Sequence, residues 1–145
     1  MILLASQSSG RLATLRAAGV EPLVRVSDVD EHAVLRVLAA DSRQEPTPVQ
    51  QVQALARAKA EEVAAAVTRA EREADPSLVV VGCDSMLEID GRVVGKPGTS
   101  EIARARWQSM RGRTGVLHSG HALVRVGNGA RAGGVSSTTV RFGSP

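Results

Sequence analysis

The densest β-branched run in the chain, Leu78-Val79-Val80-Val81, stops at Gly82. Such a run predicts a strand buried on both faces inside a helix-covered sheet. Cys83, Asp84 and Ser85 follow it, which places Asp84 at a strand's carboxyl end, where open α/β sheets bind ligands. Met86 to Ile89, the Asp90-Gly91 dipeptide and Arg92 to Val94 then read as a β-hairpin. Upstream, Met1 to Ala5 and the alternating Leu23 to Val26 read as short strands. Between them, Leu12, Leu15 and Ala18 have helical spacing and Gly19 is placed as a stop. Val49 to about Ala74, rich in Ala, Glu, Gln and Arg, reads as the longest helix, with a stripe of Val52, Leu55, Ala56, Val63 and Val67. Asp75-Pro76-Ser77 breaks it. Ser100 caps a further helix that has Glu101 in its first turn, runs to Met110 and is stopped by Gly112, with Trp107 facing the core and Arg104, Arg111 and Arg113 solvated. Gly115 to Val126 and a return through Val135, Thr139 and Phe142 pair around Gly127-Asn128-Gly129. The pattern predicts an α/β protein without internal repeats.

Length and composition narrow the class. The 145 residues suffice for one domain with a single core. No apolar run reaches the length of a membrane span, and Ile2 to Ala5 is too short for a signal peptide's apolar part, so a cytosolic protein is expected. A single cysteine, Cys83, excludes an intramolecular disulfide and reads as a small buried strand residue. The net charge of +3 does not signal a nucleic-acid binder. Its arginines are scattered, and only Trp107 and Phe142 could stack on bases. An anionic small molecule explains the balance as well. Sixteen of the eighteen basic residues are arginine. The two exceptions, Lys59 and Lys96, mark positions where a compact ammonium is a candidate requirement.

Three stretches carry candidate chemistry. Ser6-Gln7-Ser8-Ser9-Gly10-Arg11 lies between a strand and a helix, so backbone N–H groups, hydroxyls and the Arg11 guanidinium could hold a phosphate. The same serines would also serve as caps and turn residues. Asp28, Asp30 and Glu31 could bind a hard cation through oxygen, or simply populate a solvated loop or a helix N-terminus. Lys59 shares the buried stripe of the long helix, so it must snorkel out, pair with a carboxylate or reach a cleft. Asp41 to Pro48 is a loop of the kind that can serve as a lid. His118 and His121, three apart in a strand, point to opposite faces and are poorly placed to share a metal.

In this order the pieces resemble the Maf family of nucleoside triphosphate pyrophosphatases. Leu4-Ala5-Ser6-Gln7-Ser8-Ser9-Gly10-Arg11 is similar to the family's LASxSPRR, and Val29-Asp30-Glu31 to its VDE. Leu55-Ala56-Arg57-Ala58-Lys59-Ala60 resembles LAxxKA, while Gly82-Cys83-Asp84-Ser85 and Gly95-Lys96-Pro97 resemble GADT and GKP. Met110-Arg111-Gly112-Arg113-Thr114 follows, and the likeness spans essentially all 145 residues as one Maf-like domain. It implies a mixed twisted sheet flanked by helices, with an active-site cleft between two lobes. It also implies a cytosolic house-cleaning hydrolase that splits a normal or modified nucleoside triphosphate into the monophosphate and pyrophosphate with a divalent metal, Mg²⁺ or Mn²⁺. Asp84 takes the catalytic position, Asp84 and Glu31 the metal positions, and Ser6, Ser8, Arg11, Lys59 and Lys96 the phosphate-binding positions.

Base preference does not transfer. Gly10 stands where the thymidine and uridine triphosphate-cleaving members carry arginine, Ser85 replaces their threonine, and both are specificity positions. Ser9 stands where proline is usual. The family's later glycine-rich segment, with its glutamine and covering helix, has no counterpart, so a C-terminally shortened member is expected. A nucleoside triphosphate is the expected partner, without stable nucleic acid or membrane, and a homodimer is compatible with these features. The rival expectations are a nucleotide-binding regulator of the division-arrest type that lacks turnover, a basic nucleic-acid binder, and an inactive fragment.

Overall fold

A computed structural model describes residues 1–95 and 98–144. One six-stranded mixed sheet runs in the order β2 (Leu23–Val24), β1 (Ile2–Ala5), β3 (Val79–Ile89), β5 (Thr114–Arg125) and β6 (Arg131–Arg141). β4 (Arg92–Val94) pairs with β3 alone. β1 is parallel to both β2 and β3, whereas β3, β5 and β6 form an antiparallel meander. The helices are α1 (Ser9–Ala17), α2 (Glu31–Ala40), α3 (Pro48–Ala66), α4 (Arg69–Ala74) and α5 (Ser100–Met110). No helix among the described residues is long and apolar enough to cross a membrane. The expected α/β sheet with flanking helices is present.

α3 supplies most of the core. Thr47 and Gln50 form a capping box at its start, with Pro48 in its first turn where proline's missing N–H does no harm. Its stripe of Val52, Leu55, Ala56, Ala60, Val63 and Ala64 is buried, and the helix packs against β3 and β5. Leu3, Ala5, Val80, Ala122 and Val124 complete that interior from the sheet side. The contact is unusually close because two strand positions facing α3 have no side chain. A Cβ at Gly82 would overlap the Ala56 carbonyl oxygen and lie 2.7 Å from the Ala60 nitrogen. One at Gly120 would lie 2.5 Å from the Val52 carbonyl oxygen. Helix backbone therefore rests almost directly on strand backbone.

Five expectations are corrected. The helix predicted from Val49 to Ala74 is two, because Val67 is extended and buried and Thr68 starts α4 with its own capping box to Glu71. β3 does not end at Gly82 but continues to Ile89; what ends there is its partner β1, whose last pair is Ala5 with Gly82. Asp84 thus lies within a continuous strand, two residues past the end of a neighbour. Val79 and Val81 are only half-buried, since α3 covers the face that Leu78 and Val80 share. Trp107, expected in the core, is 43% exposed and meets Phe142 edge-on at 6.5 Å. The strand predicted over Leu23 to Val26 is only Leu23–Val24.

The close approach yields a direct test. Gly82→Ala must displace α3 and should cost about 1–3 kcal/mol in chemical denaturation, the range for an overpacked core. Gly134→Ala, where an added Cβ meets nothing within 4 Å, should stay within about 0.5 kcal/mol of the parent.

Candidate active site

The site lies where β1 stops and β3 goes on. Alternation along β3 turns Gly82 and the Asp84 side chain toward α3 and the side chains of Cys83 and Ser85 to the other face. Lys59 lies one turn beyond Leu55 and Ala56 on α3, and descends onto Asp84. Its Nζ donates to Asp84 Oδ1 at 2.7 Å and pairs with Glu31 Oε1 at 2.8 Å. Of the three outcomes open to Lys59, the structure selects pairing with carboxylates. Glu31 begins α2, which Asp30 caps by accepting from the Ala33 N–H. Asp28 is exposed, and its N–H donates to Glu62. The acidic cluster therefore divides: one cap, one exposed residue, and one carboxylate on Lys59. A helix N-terminus was one of the alternatives open to this cluster, and Asp30 and Glu31 form one; the remainder of α2 was not anticipated.

Burial and pairing act against each other here. Burial pushes the Asp84 carboxyl above the usual carboxylate range, more than the hydrogen bond and charge of Lys59 draw it down; Glu31 adds to the upward push and Arg11 opposes it. Burial disfavours the Lys59 ammonium, but hydrogen bonds from it to Asp84 and Glu31 outweigh that, so the amine is held above the ordinary lysine value. Taken alone, Lys59 reports a favourable pair and Asp84 an unfavourable one. The geometry reconciles them, because Lys59 has two carboxylates to itself while Asp84 shares one cation. The Asp84 and Lys59 side chains are 12% and 18% exposed and Glu31 is 52% exposed, so the cluster opens on the Glu31 side.

A second group approaches from the opposite face of β3. Ser8 caps α1 by accepting from the Arg11 N–H. Ser6 Oγ accepts from the Ser8 N–H at 3.2 Å and from Arg11 Nη1 at 2.9 Å. Arg11 Nη2 donates to Ser85 Oγ at 3.2 Å, and Ser85 Oγ lies 2.8 Å from Ser119 Oγ. Both Ser6 and Ser8 use lone pairs within the loop, which leaves each hydroxyl proton for an anion. Burial raises the neighbouring Cys83 thiol's pKa, with Arg11 drawing it down. Gly10 lies exposed in the first turn of α1, where an added Cβ would meet only Ser8 Oγ, at 3.8 Å. Lys96 lies outside the described residues.

Asp84, Lys59 and Glu31 thus meet on one face of β3, and Ser6, Ser8, Arg11 and Ser85 on the other, with Arg11 still acting on Asp84 electrostatically. Ser119 was missed by sequence reading, because its pairing opposite Ser85 depends on strand register. His118 takes no part: it is buried, with Nδ1 2.7 Å from Ser137 Oγ and Nε2 3.2 Å from Glu88 Oε1. A cavity of about 600 Å³ lies instead between β4 and α5, lined by Arg92, Arg106 and Arg113 among others and by no residue of this site. Arg113 there pairs with Asp90, and Arg106 donates to the Gly95 carbonyl.

Among the described residues no three His, Cys, Asp or Glu side chains form a metal-sized group. The point on which Asp84 and Glu31 converge is taken by the Lys59 ammonium; the two carboxylates are of the type that could hold a hard cation such as Mg²⁺, with phosphate and water supplying the other oxygens, only with Lys59 turned away from them.

The Maf-like protein family model matches residues 1–145. A nucleoside triphosphate pyrophosphatase of Mycobacterium sp. (strain JLS) is 52% identical over 147 residues, which cover 99% of this chain and 67% of the relative. The protein of that name from Rhodococcus jostii (strain RHA1) is 51% identical, covering 98% and 64%. That from Saccharopolyspora erythraea is 53% identical, covering 98% and 65%. The chain spans about two thirds of the length of these curated relatives.

Removing the ammonium tests the electrostatics. In Lys59→Met, Asp84 loses its cation and keeps Glu31, so its pKa should rise further, as read from carboxyl ¹³C shifts. A carboxyl whose folded pKa is raised contributes stability below its unfolded value and loses it as pH climbs through the folded one. The variant should therefore lose more stability relative to the parent at pH 8 than at pH 4. An unshifted Asp84 would contradict the pairing.

Proposed function

This chain belongs to the Maf-like protein family, and we propose that it hydrolyses a nucleoside triphosphate to the monophosphate and pyrophosphate. The observation that carries this reading is the Lys59 ammonium held by Asp84 and Glu31 beside the strand end that also presents Arg11. Hydrolysis between the α- and β-phosphates develops negative charge on phosphate oxygens and on the departing pyrophosphate, so fixed cations and oriented donors supply most of the acceleration. Lys59 and Arg11, with Lys96, clamp the phosphate chain, while the free hydroxyl protons of Ser6 and Ser8 donate to its oxygens. Asp84 orients the attacking water and accepts its proton. Its upward-shifted pKa makes it a stronger base than an ordinary carboxylate.

A divalent cation, Mg²⁺ or Mn²⁺, would be held by Asp84 and Glu31; when bound it makes a water more acidic and neutralises phosphate charge. Ser85 and Gly10, both next to the phosphate-binding loop, are proposed to tune the choice of base. A small anionic substrate in the cytosol fits the modest positive charge, with nucleic acid and membrane left outside its partners.

Pyrophosphate release from a panel of nucleoside triphosphates tests this reading. The parent should turn over at least one of them. Asp84→Asn, which keeps the shape and removes the charge, should lose about 10²–10⁴-fold with its melting temperature little changed. Near-parental release by that variant would refute the role of Asp84. Binding without product in the parent would favour a nucleotide-binding regulator.

A further inference from the structure

Ser119 belongs to no motif of the family resemblance, yet it ends the only hydrogen-bonded chain among the described residues that leads out of the Arg11 group across the sheet. β5 sets Ser119 directly opposite Ser85, and β6 sets Ser136 opposite Ser119, so three hydroxyl residues share one row on the face that Arg11 approaches. Arginine has no acceptor, so the Nη2 contact requires a lone pair of Ser85 Oγ to point at Arg11. A lone serine hydroxyl rotates through three staggered positions and meets that requirement in only some of them. With Ser119 Oγ at 2.8 Å, a second of the three hydrogen-bonding directions of Ser85 is taken, which restricts its rotor to settings that keep a lone pair on Arg11.

We propose that Ser119 is a positioning residue that locks the Ser85 hydroxyl as the acceptor of Arg11 and so holds the guanidinium pointed at the phosphate chain. This rests on the pyrophosphatase reading for its substrate, but its geometry concerns polyphosphate binding alone. In the Ser85–Ser119 pair one hydroxyl donates to the other, so a single proton is left over for a ligand oxygen. Arg11 forms no ion pair among the described residues: its side-chain nitrogens donate to the Ser6 and Ser85 hydroxyls, and Asp84 acts on it only at longer range. Its charge is consequently free for an anion, and its direction depends on neutral hydroxyls that a single methyl substitution can remove.

Calorimetric binding of inorganic tripolyphosphate tests the proposal on the full chain. Ser119→Ala should weaken binding about fivefold, the size of one lost neutral hydrogen bond, with an unchanged melting temperature. Ser119→Thr should restore it. In an Arg11→Gln background the Ser119→Ala change should have no further effect, because the route through Arg11 is already cut; a merely structural role would persist there. In turnover assays the Ser119→Ala defect should fall on KM more than on kcat. Parental affinity in Ser119→Ala, failure of threonine to rescue, or an equal loss without Arg11 would each overturn the proposal. Tripolyphosphate binding that follows the expected pattern without pyrophosphate release from any nucleotide would sink the enzymatic reading and leave the Ser119 assignment standing. No tripolyphosphate binding by the parent would overturn both.

Discussion

α3 rests on the sheet at Gly82 and Gly120, where the absence of a Cβ lets helix backbone approach strand backbone. An ordinary helix-on-sheet layer keeps a full side chain between the two, and a lysine leaving such a helix would reach past the strands to solvent. Here the helix sits low enough that Lys59, one turn from the contact at Ala56, meets the carboxylate two residues beyond Gly82 on the same strand face. The position of the cation is therefore a packing result. Sequence neighbours fix it on both sides: Ala56 and Ala60 are small enough to accept β3, and Gly82 is separated from Asp84 by one strand period.

The end of β1 supplies the other half of the arrangement. Had β1 continued alongside β3 past Gly82, its backbone would have covered the flank of Asp84 and Ser85. Instead the chain turns into the Ser6–Ser8 loop and α1, whose first turn carries the Arg11 side chain to Ser85. A cation at a helix N-terminus is mildly unfavourable with respect to the helix dipole, and Arg11 donates to the neutral hydroxyls of Ser6 and Ser85 without an ion pair among the described residues. That combination leaves positive charge unsatisfied at one side of β3. On the other side, Lys59 is shared by two carboxylates and Asp84 is held above its ordinary range by burial. The Arg11 side is complementary to a ligand that brings negative oxygens, whereas the Lys59 side, one ammonium between two carboxylates, has no excess positive charge of its own to offer.

The sequence disclosed the ingredients better than their arrangement. Lys59 was legible as a cation on a buried stripe because helical periodicity assigns faces without any tertiary information. Asp84 was legible because an apolar β-branched run leads to it. Met86 to Ile89 was legible as the first arm of the hairpin to Arg92–Val94; its fusion with the upstream run into one strand was not, because the pairing that carries β3 through Asp84 and Ser85 comes from β5, about thirty residues away. The helix break at Val67 was hidden by the helix-favouring Ala, Glu and Arg on both sides; Thr68 and Glu71 gave a capping signal that the composition outweighed. The acidic start of α2 was legible as a candidate helix N-terminus, but its body was not. Gly82 was read as a strand end, although its meaning is close approach, which only the partner helix reveals. Ser119 could not have been found without register.

Lysine-specific ¹⁵N labelling tests the central placement most directly, because the chain has only two lysines, Lys59 and Lys96. The placement of Lys59 between Asp84 and Glu31 calls for one Nζ signal that stays protonated beyond the ordinary lysine range and moves down when Asp84 is replaced by Asn. Two signals that both titrate at ordinary values, indifferent to Asp84, would contradict it.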